Sequence, residues 1–202
     1  ETRKLPKRGE YSTLFNSIGE STERVPSGSV HEYLMSQSYG ELNLKAHVED
    51  WRTTNNTEAF FSEGKHGVSH KLRFMMYPVL DAMDAEGFDF SKFDSNNDGL
   101  IDAIFLLTSS YPSEVGGIDC YGQDFPNRIW AHAIAHPSFQ WQSTVSGIKA
   151  NGYAVSSALR GICGSVPLGM AVLMHEFGHL LELPDLRQPD AQGPTEGQWI
   201  GF

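Results

Sequence analysis

From Glu41 to Trp51 apolar and polar residues alternate, with Leu42, Leu44, Ala46 and Val48 on one side and Glu41, Asn43, Lys45, His47 and Glu49 on the other. A period of two predicts a strand with one buried face and one in water. Just upstream, Ser29-Val30-His31-Glu32 reads as a capping box, in which Ser29 accepts from the third helical amide and Glu32 reaches back. The helix it opens carries Val30, Tyr33, Leu34 and Gln37 and stops at Gly40. Residues 1–28, polar and rich in Ser, Gly and Pro, read as mostly loop.

Further along, Leu72, Met75, Met76, Val79, Leu80 and Met83 fall at helical spacing between Val68 and Ala85, with Pro78 predicting a kink or a late start. Ile101 to Leu107 is a short apolar run of the kind that forms a central buried strand, and Arg128–His136 and Gly152–Leu159 are further strand candidates. Val166–Leu181 reads as a second long helix, apolar nearly all round and therefore buried. This order predicts an α/β domain with helices packed on a twisted mixed sheet. No internal repeat interrupts it, so residues 29–202 read as one domain behind the 1–28 segment.

Composition narrows the function. The 15 Lys and Arg against 25 Asp and Glu give a net charge of −10, which argues against binding nucleic acid through phosphate contacts. No apolar run approaches the length of a transmembrane segment. Cys120 and Cys163 make no CxxC motif; they are either a disulfide, which would imply an oxidising compartment, or two buried thiols. Asn55-Asn56-Thr57 is a glycosylation sequon in a eukaryotic secretory context. No signal peptide is present, which a mature chain would also show.

The last helix carries the chemistry. His175-Glu176-Phe177-Gly178-His179 is an HExxH motif. Histidines four apart lie one turn above each other, so both imidazoles reach one zinc ion, and Glu176 stands where it can take a proton from a metal-activated water. A charged triad on an apolar helix is costly without compensation, and a metal compensates it; the bland alternative is a core helix with hydrogen-bonded histidines. A third ligand is expected at Asp185, ten residues after His175, with Glu182 and then Asp190 as lesser candidates.

The segment His175-Glu-Phe-Gly-His179-Leu-Leu-Glu182-Leu-Pro184-Asp185-Leu resembles the zinc site of the immune inhibitor A metalloproteases, whose motif reads close to HEFGHxLGLPDLYD. Ser29 to Gly40 resembles that family's SVxxYYxxxSYG helix, Phe90 to Asp102 its acidic loop, and Ile129-Trp130-Ala-His132 its IWxH strand. These landmarks run in the family's order from about residue 29 to 186. The resemblance implies a zincin/metzincin-like catalytic domain, with an active-site helix and a backing helix on a mixed sheet. It also implies secretion and zinc held by His175, His179 and Asp185. One residue departs from the pattern. Glu182 stands where the family has Gly, and a Glu in the left-handed backbone that ends the helix costs on the order of 1 kcal/mol. Either that turn is strained, or the return path differs and Asp185 binds more weakly.

Asp94-x-Asn96-x-Asp98-Gly99-x-x-Asp102 matches the first positions of an EF-hand loop, but position 12 falls on Phe105. Asp94, Asn96, Asp98, Asp102 and the Leu100 carbonyl are the candidate ligands of a structural calcium site, against an Asx-rich turn that starts a strand. His132 and His136 repeat the spacing of four without a Glu; on a strand they stand roughly 13 Å apart and cannot share an ion. His31, His47, His66 and His70 read as solvated, and Trp130 and Trp141 as packing residues.

Together these features predict a zinc-dependent endopeptidase acting on protein or peptide substrates, with Glu176 as general base and residues 129–136 as the strand that binds substrate. The alternatives are a catalytically inactive, calcium-stabilised binding module on a protease fold and, more distantly, a non-proteolytic zinc hydrolase. By the same resemblance the domain is expected to be incomplete at its C-terminal lobe, because a Met-containing turn should follow Trp199. An apolar strand should precede the first helix.

Overall fold

The structure is a computed structural model that describes residues 3–22, 25–135 and 139–184. Five α-helices are described: α1 (Arg8–Asn16), α2 (Val30–Gln37), α3 (Glu58–Ser62), α4 (Arg73–Ala85) and α5 (Met170–Leu180). Five strands accompany them: β1 (Phe105–Thr108), β2 (His132–Ala135), β3 (Trp141–Gln142), β4 (Lys149–Ala150) and β5 (Gly152–Ser157). The fold is mixed α/β. Its main sheet has the order β1-β5-β2, with β1 parallel to β5 and β2 antiparallel to it, in the register Phe105↔Ala154 and His132↔Val155. A β3–β4 hairpin forms a second, two-stranded sheet.

Alternation along the strands divides the core in two. Leu106, Tyr153 and Val155 face α4 and pack with Met75, Met76, Leu80, Phe90 and Trp141. Phe105, Leu107 and Ala158 face the other way, towards Tyr11, Leu14, Val30, Leu34, Leu173 and Phe177 of α1, α2 and α5. Helices therefore cover both faces of the sheet, the architecture that buries a strand on two sides.

Several expectations need correction. β5, not the Ile101–Leu107 run, is the central strand. That run is divided: the Ile101 amide bonds to the Lys149 carbonyl at 2.8 Å beside the hairpin, and ladder pairing begins only at Phe105. Within the first 28 residues, read as mostly loop, the chain forms one nine-residue helix, α1, that the pattern does not announce. Its apolar content is just Tyr11, Leu14 and Phe15, three residues on one face that are all buried. Charged neighbours hide that stripe from a compositional reading.

Residues 41–51 are not a strand, although Leu42, Leu44, Ala46 and Val48 are half-buried and Glu41, Asn43, Lys45 and His47 exposed, as the alternation predicts. Side chains supply what a neighbouring strand would. Asn16 Nδ2 donates to the Ala46 carbonyl at 2.9 Å, Asn16 Oδ1 accepts from the Ala46 amide at 2.8 Å, and His31 Nδ1 donates to the Leu44 carbonyl at 2.8 Å.

The capping box at α2 forms as read, with the Glu32 amide donating to Ser29 Oγ and the Ser29 amide to Glu32 Oε2 at 2.9 Å. Before α4 a short 3-10 turn occupies His70–Leu72, and Pro78 lies inside the helix. α5 is shorter than predicted and buries one face, through Leu173, Glu176, Phe177 and Gly178, leaving Ala171 exposed. Its expected first turn is extended instead. Pro167 disfavours a helical Val166, and the Leu168 amide joins the Ala158 carbonyl at 2.9 Å.

Candidate active site

α5 packs against β5 and β2, so its motif residues stand beside the edge of the main sheet. The rings of His175 and His179 lie 4.8 Å apart, nearly perpendicular at 84°. Both residues are half-buried, whereas Glu176 is 4% exposed. His179 Nδ1 sits 2.9 Å from the Leu183 carbonyl oxygen. A carbonyl only accepts, so Nδ1 carries the proton and the lone pair of Nε2 is the one a metal would take. The donor set therefore fits zinc: neighbouring imidazoles, one with its tautomer fixed by a backbone acceptor, on a helix that also carries the buried Glu176.

The carbonyl that orients His179 comes from the helix end. The Leu183 amide bonds back to the Gly178 carbonyl at 3.0 Å and the Glu182 amide to the His179 carbonyl at 3.0 Å. This is a Schellman closure, with Glu182 in the left-handed position at φ 63°. Of the alternatives posed by a Glu at the family's Gly, the structure takes the strained turn. Glu182 is exposed and beyond the last helical turn, so it does not continue the face of His175 and His179. Asp185 and Asp190 lie outside the described residues. Among the described residues, no group of three or more His, Cys, Asp or Glu side chains is arranged to hold an ion.

The acidic loop brings its candidates into one tight turn, with Asn97 at φ 59° and Gly99 at φ 84°. Asp94 accepts from the amides of Asp98 and Gly99, both at 3.0 Å. Asn96 accepts from the Asp98 amide at 3.1 Å and donates to Asp98 Oδ2 at 3.0 Å; Asp98 Oδ1 accepts from the Leu100 amide at 2.9 Å. Asp102 accepts from the Ser95 amide at 3.1 Å. These carboxylates are engaged by the chain itself, as in an Asx-rich turn.

His132 opens β2 with its ring 5.9 Å from that of Tyr153 and Nδ1 donating to the Trp130 carbonyl at 2.8 Å. Burial holds its pKa below the usual histidine value. His136 lies outside the described residues. Two histidines expected in water are instead half-buried and bonded: His31 to Leu44, and His66 Nδ1 to Ser113 Oγ at 2.7 Å. Trp141 is buried, with Nε1 donating to Asp81. Cys120 and Cys163 form a disulfide, their Cα atoms 5.3 Å apart.

The Leu183 carbonyl is the functional group that a reading of residue types misses. The only signal for it is positional, the closure expected three or four residues after the helix's last histidine. No helix among the described residues is long and apolar enough to cross a membrane. No curated protein matches the chain. The sequence model of the immune inhibitor A peptidase M6 catalytic domain matches residues 11–201, almost the whole chain, and the chain belongs to that peptidase family.

Proposed function

We propose that the chain is the catalytic domain of a secreted, zinc-dependent endopeptidase of metzincin-like type. The observation that carries the reading is the neighbouring His175 and His179 rings, His179 oriented by the Leu183 carbonyl, on the helix that carries the buried Glu176. His175 and His179 would hold the ion, with Asp185 as third ligand. Bound there, zinc supplies Lewis acidity towards the scissile carbonyl and lowers the pKa of the attacking water.

The chain's own residues do the rest. Glu176, fixed on a packed helix, takes the proton of the attacking water and returns it to the leaving nitrogen. β2 lies at the edge of the main sheet and is packed by α5, so an extended peptide can add to it through main-chain hydrogen bonds. Such binding selects weakly for sequence and suits a protein or peptide substrate. The disulfide between two exposed cysteines fits an oxidising, extracellular setting. A structural calcium ion at Asp94, Asn96, Asp98, Asp102 and the Leu100 carbonyl is a separate proposal, in which the ion would have to share or displace the turn's own amide contacts.

The strained turn at Glu182 favours one competitor, a calcium-stabilised binding module that keeps the fold without turnover. Metal analysis of the purified chain separates them: near-stoichiometric zinc supports the peptidase, and calcium alone the module. Glu176→Gln tests the mechanism directly. Zinc should stay and peptidase activity should vanish; undiminished proteolysis would overturn the assignment of the base.

A further inference from the structure

Arg3 reaches over the domain to a site that the peptidase reading does not use. Its Cζ lies 4.9 Å from the centre of the Tyr111 ring and 4.6 Å from that of Tyr121, two rings within 20° of parallel. Nη1 donates to the Ser109 carbonyl at 2.8 Å, and Nη2 pairs with Asp119 Oδ2 at 3.2 Å. The Asp119 side chain is fully buried. Its Oδ1 accepts from the amides of Tyr121 and Gln123, both at 2.9 Å, which closes the turn. The guanidinium answers the second oxygen. A buried carboxylate that loses its cation is left as an uncompensated charge, the costly case for an ion pair. Two near-parallel rings within reach of one cation, a carboxylate and a carbonyl suit a flat, multi-donor cation better than a compact ammonium.

The surrounding contacts give the site a reach beyond its own turn. The Tyr111 hydroxyl donates to the Gly164 carbonyl at 2.6 Å, the Cys120 amide to the Ile162 carbonyl at 3.0 Å, and the Lys4 amide to Ser165 Oγ at 3.1 Å. The Cys120–Cys163 bond joins the same two segments, and the 160–165 segment runs on into α5.

We propose that Tyr111, Tyr121, Asp119 and the Ser109 carbonyl form a guanidinium-binding site, filled in cis by Arg3. Its occupancy fixes the 109–123 and 160–165 segments together with the disulfide. The ligand class is an arginine side chain, and the site accepts a free guanidinium when Arg3 is removed.

The test is amide hydrogen exchange on the full chain as wild type, Arg3→Ala and Arg3→Lys. In Arg3→Ala the Tyr121 and Gln123 amides should exchange about tenfold faster or more, with β5 unchanged. Millimolar methylguanidinium should restore the slow rate and methylammonium should not, and Arg3→Lys should fall between the two. Unchanged exchange in Arg3→Ala would overturn the site. So would an equal rise in β5, which would mean global loosening, or equal rescue by both cations, which would mean charge without shape.

Discussion

In the Asp94–Asp102 loop the chain's own amides occupy the carboxylates, whereas in α5 the helix axis directs the donor residues and the Leu183 carbonyl orients His179. Both segments display metal-ligand residue types at fixed spacing. The loop uses those types to close a turn, and the helix uses them to hold rings side by side. Spacing alone does not separate the two cases. What separates them is the location of the backbone donors: a tight turn offers free amides to any nearby carboxylate, while the amides inside a helix are already paired.

That contrast can be broken in four places. The largest effect is expected at Glu176. Glu176→Gln should lower kcat/KM by about 10²–10⁴-fold with zinc retained, and His179→Ala should lose both activity and metal, read by peptide hydrolysis and metal content. Calcium should act on the loop and leave the helix chemistry alone. At saturation it should stabilise the wild type by about 2 kcal/mol, and Asp98→Asn should diminish that gain, measured by thermal unfolding. Glu182→Gly relieves a left-handed non-glycine residue and should stabilise by about 1 kcal/mol without changing the proteolytic pH profile.

The smallest effect concerns Asp84, a buried carboxylate on α4 held below its usual pKa by hydroxyls of Ser143 and Thr144 and the Thr144 amide. A depressed folded-state pKa contributes stability that is present above the unfolded value and lost as pH falls through the folded one. Asp84→Asn should therefore be less stable than wild type at neutral pH, with the gap closing on acidification below the ordinary carboxylate range. A gap independent of pH in urea unfolding would assign the effect to packing alone.

How much was legible follows from the range of each cause. The Ser29–Glu32 cap and the HExxH residues are local, decided within a few residues; the cap stands where the sequence puts it, and the motif lies on a helix as expected, though that helix begins after its expected first turn. β5 is nearly as clear, because Tyr153 and Val155 must face one layer and Ala154 and Ser156 the other. Sheet order is not local: whether β1 or β5 is central depends on chain returns from segments about 50 residues apart. α1 escaped notice because three buried residues among charged neighbours give a weak stripe. At the site, His175, Glu176 and His179 could be named from spacing, but the strain at Glu182 and the Leu183 acceptor come from the helix ending, which residue types describe poorly.

Asn16 carries a consequence of another kind. Its carboxamide occupies both the amide and the carbonyl of Ala46, the pair that an incoming strand would use. An extended segment with alternating exposure is an open template for edge-to-edge association, and proteins ordinarily blunt such edges with lysine, proline or a bulge. Here a single side chain from α1 stands in as a one-residue counterfeit strand. With that slot taken, an incoming strand finds no free backbone pair at Ala46 beside the half-buried apolar residues of 41–48.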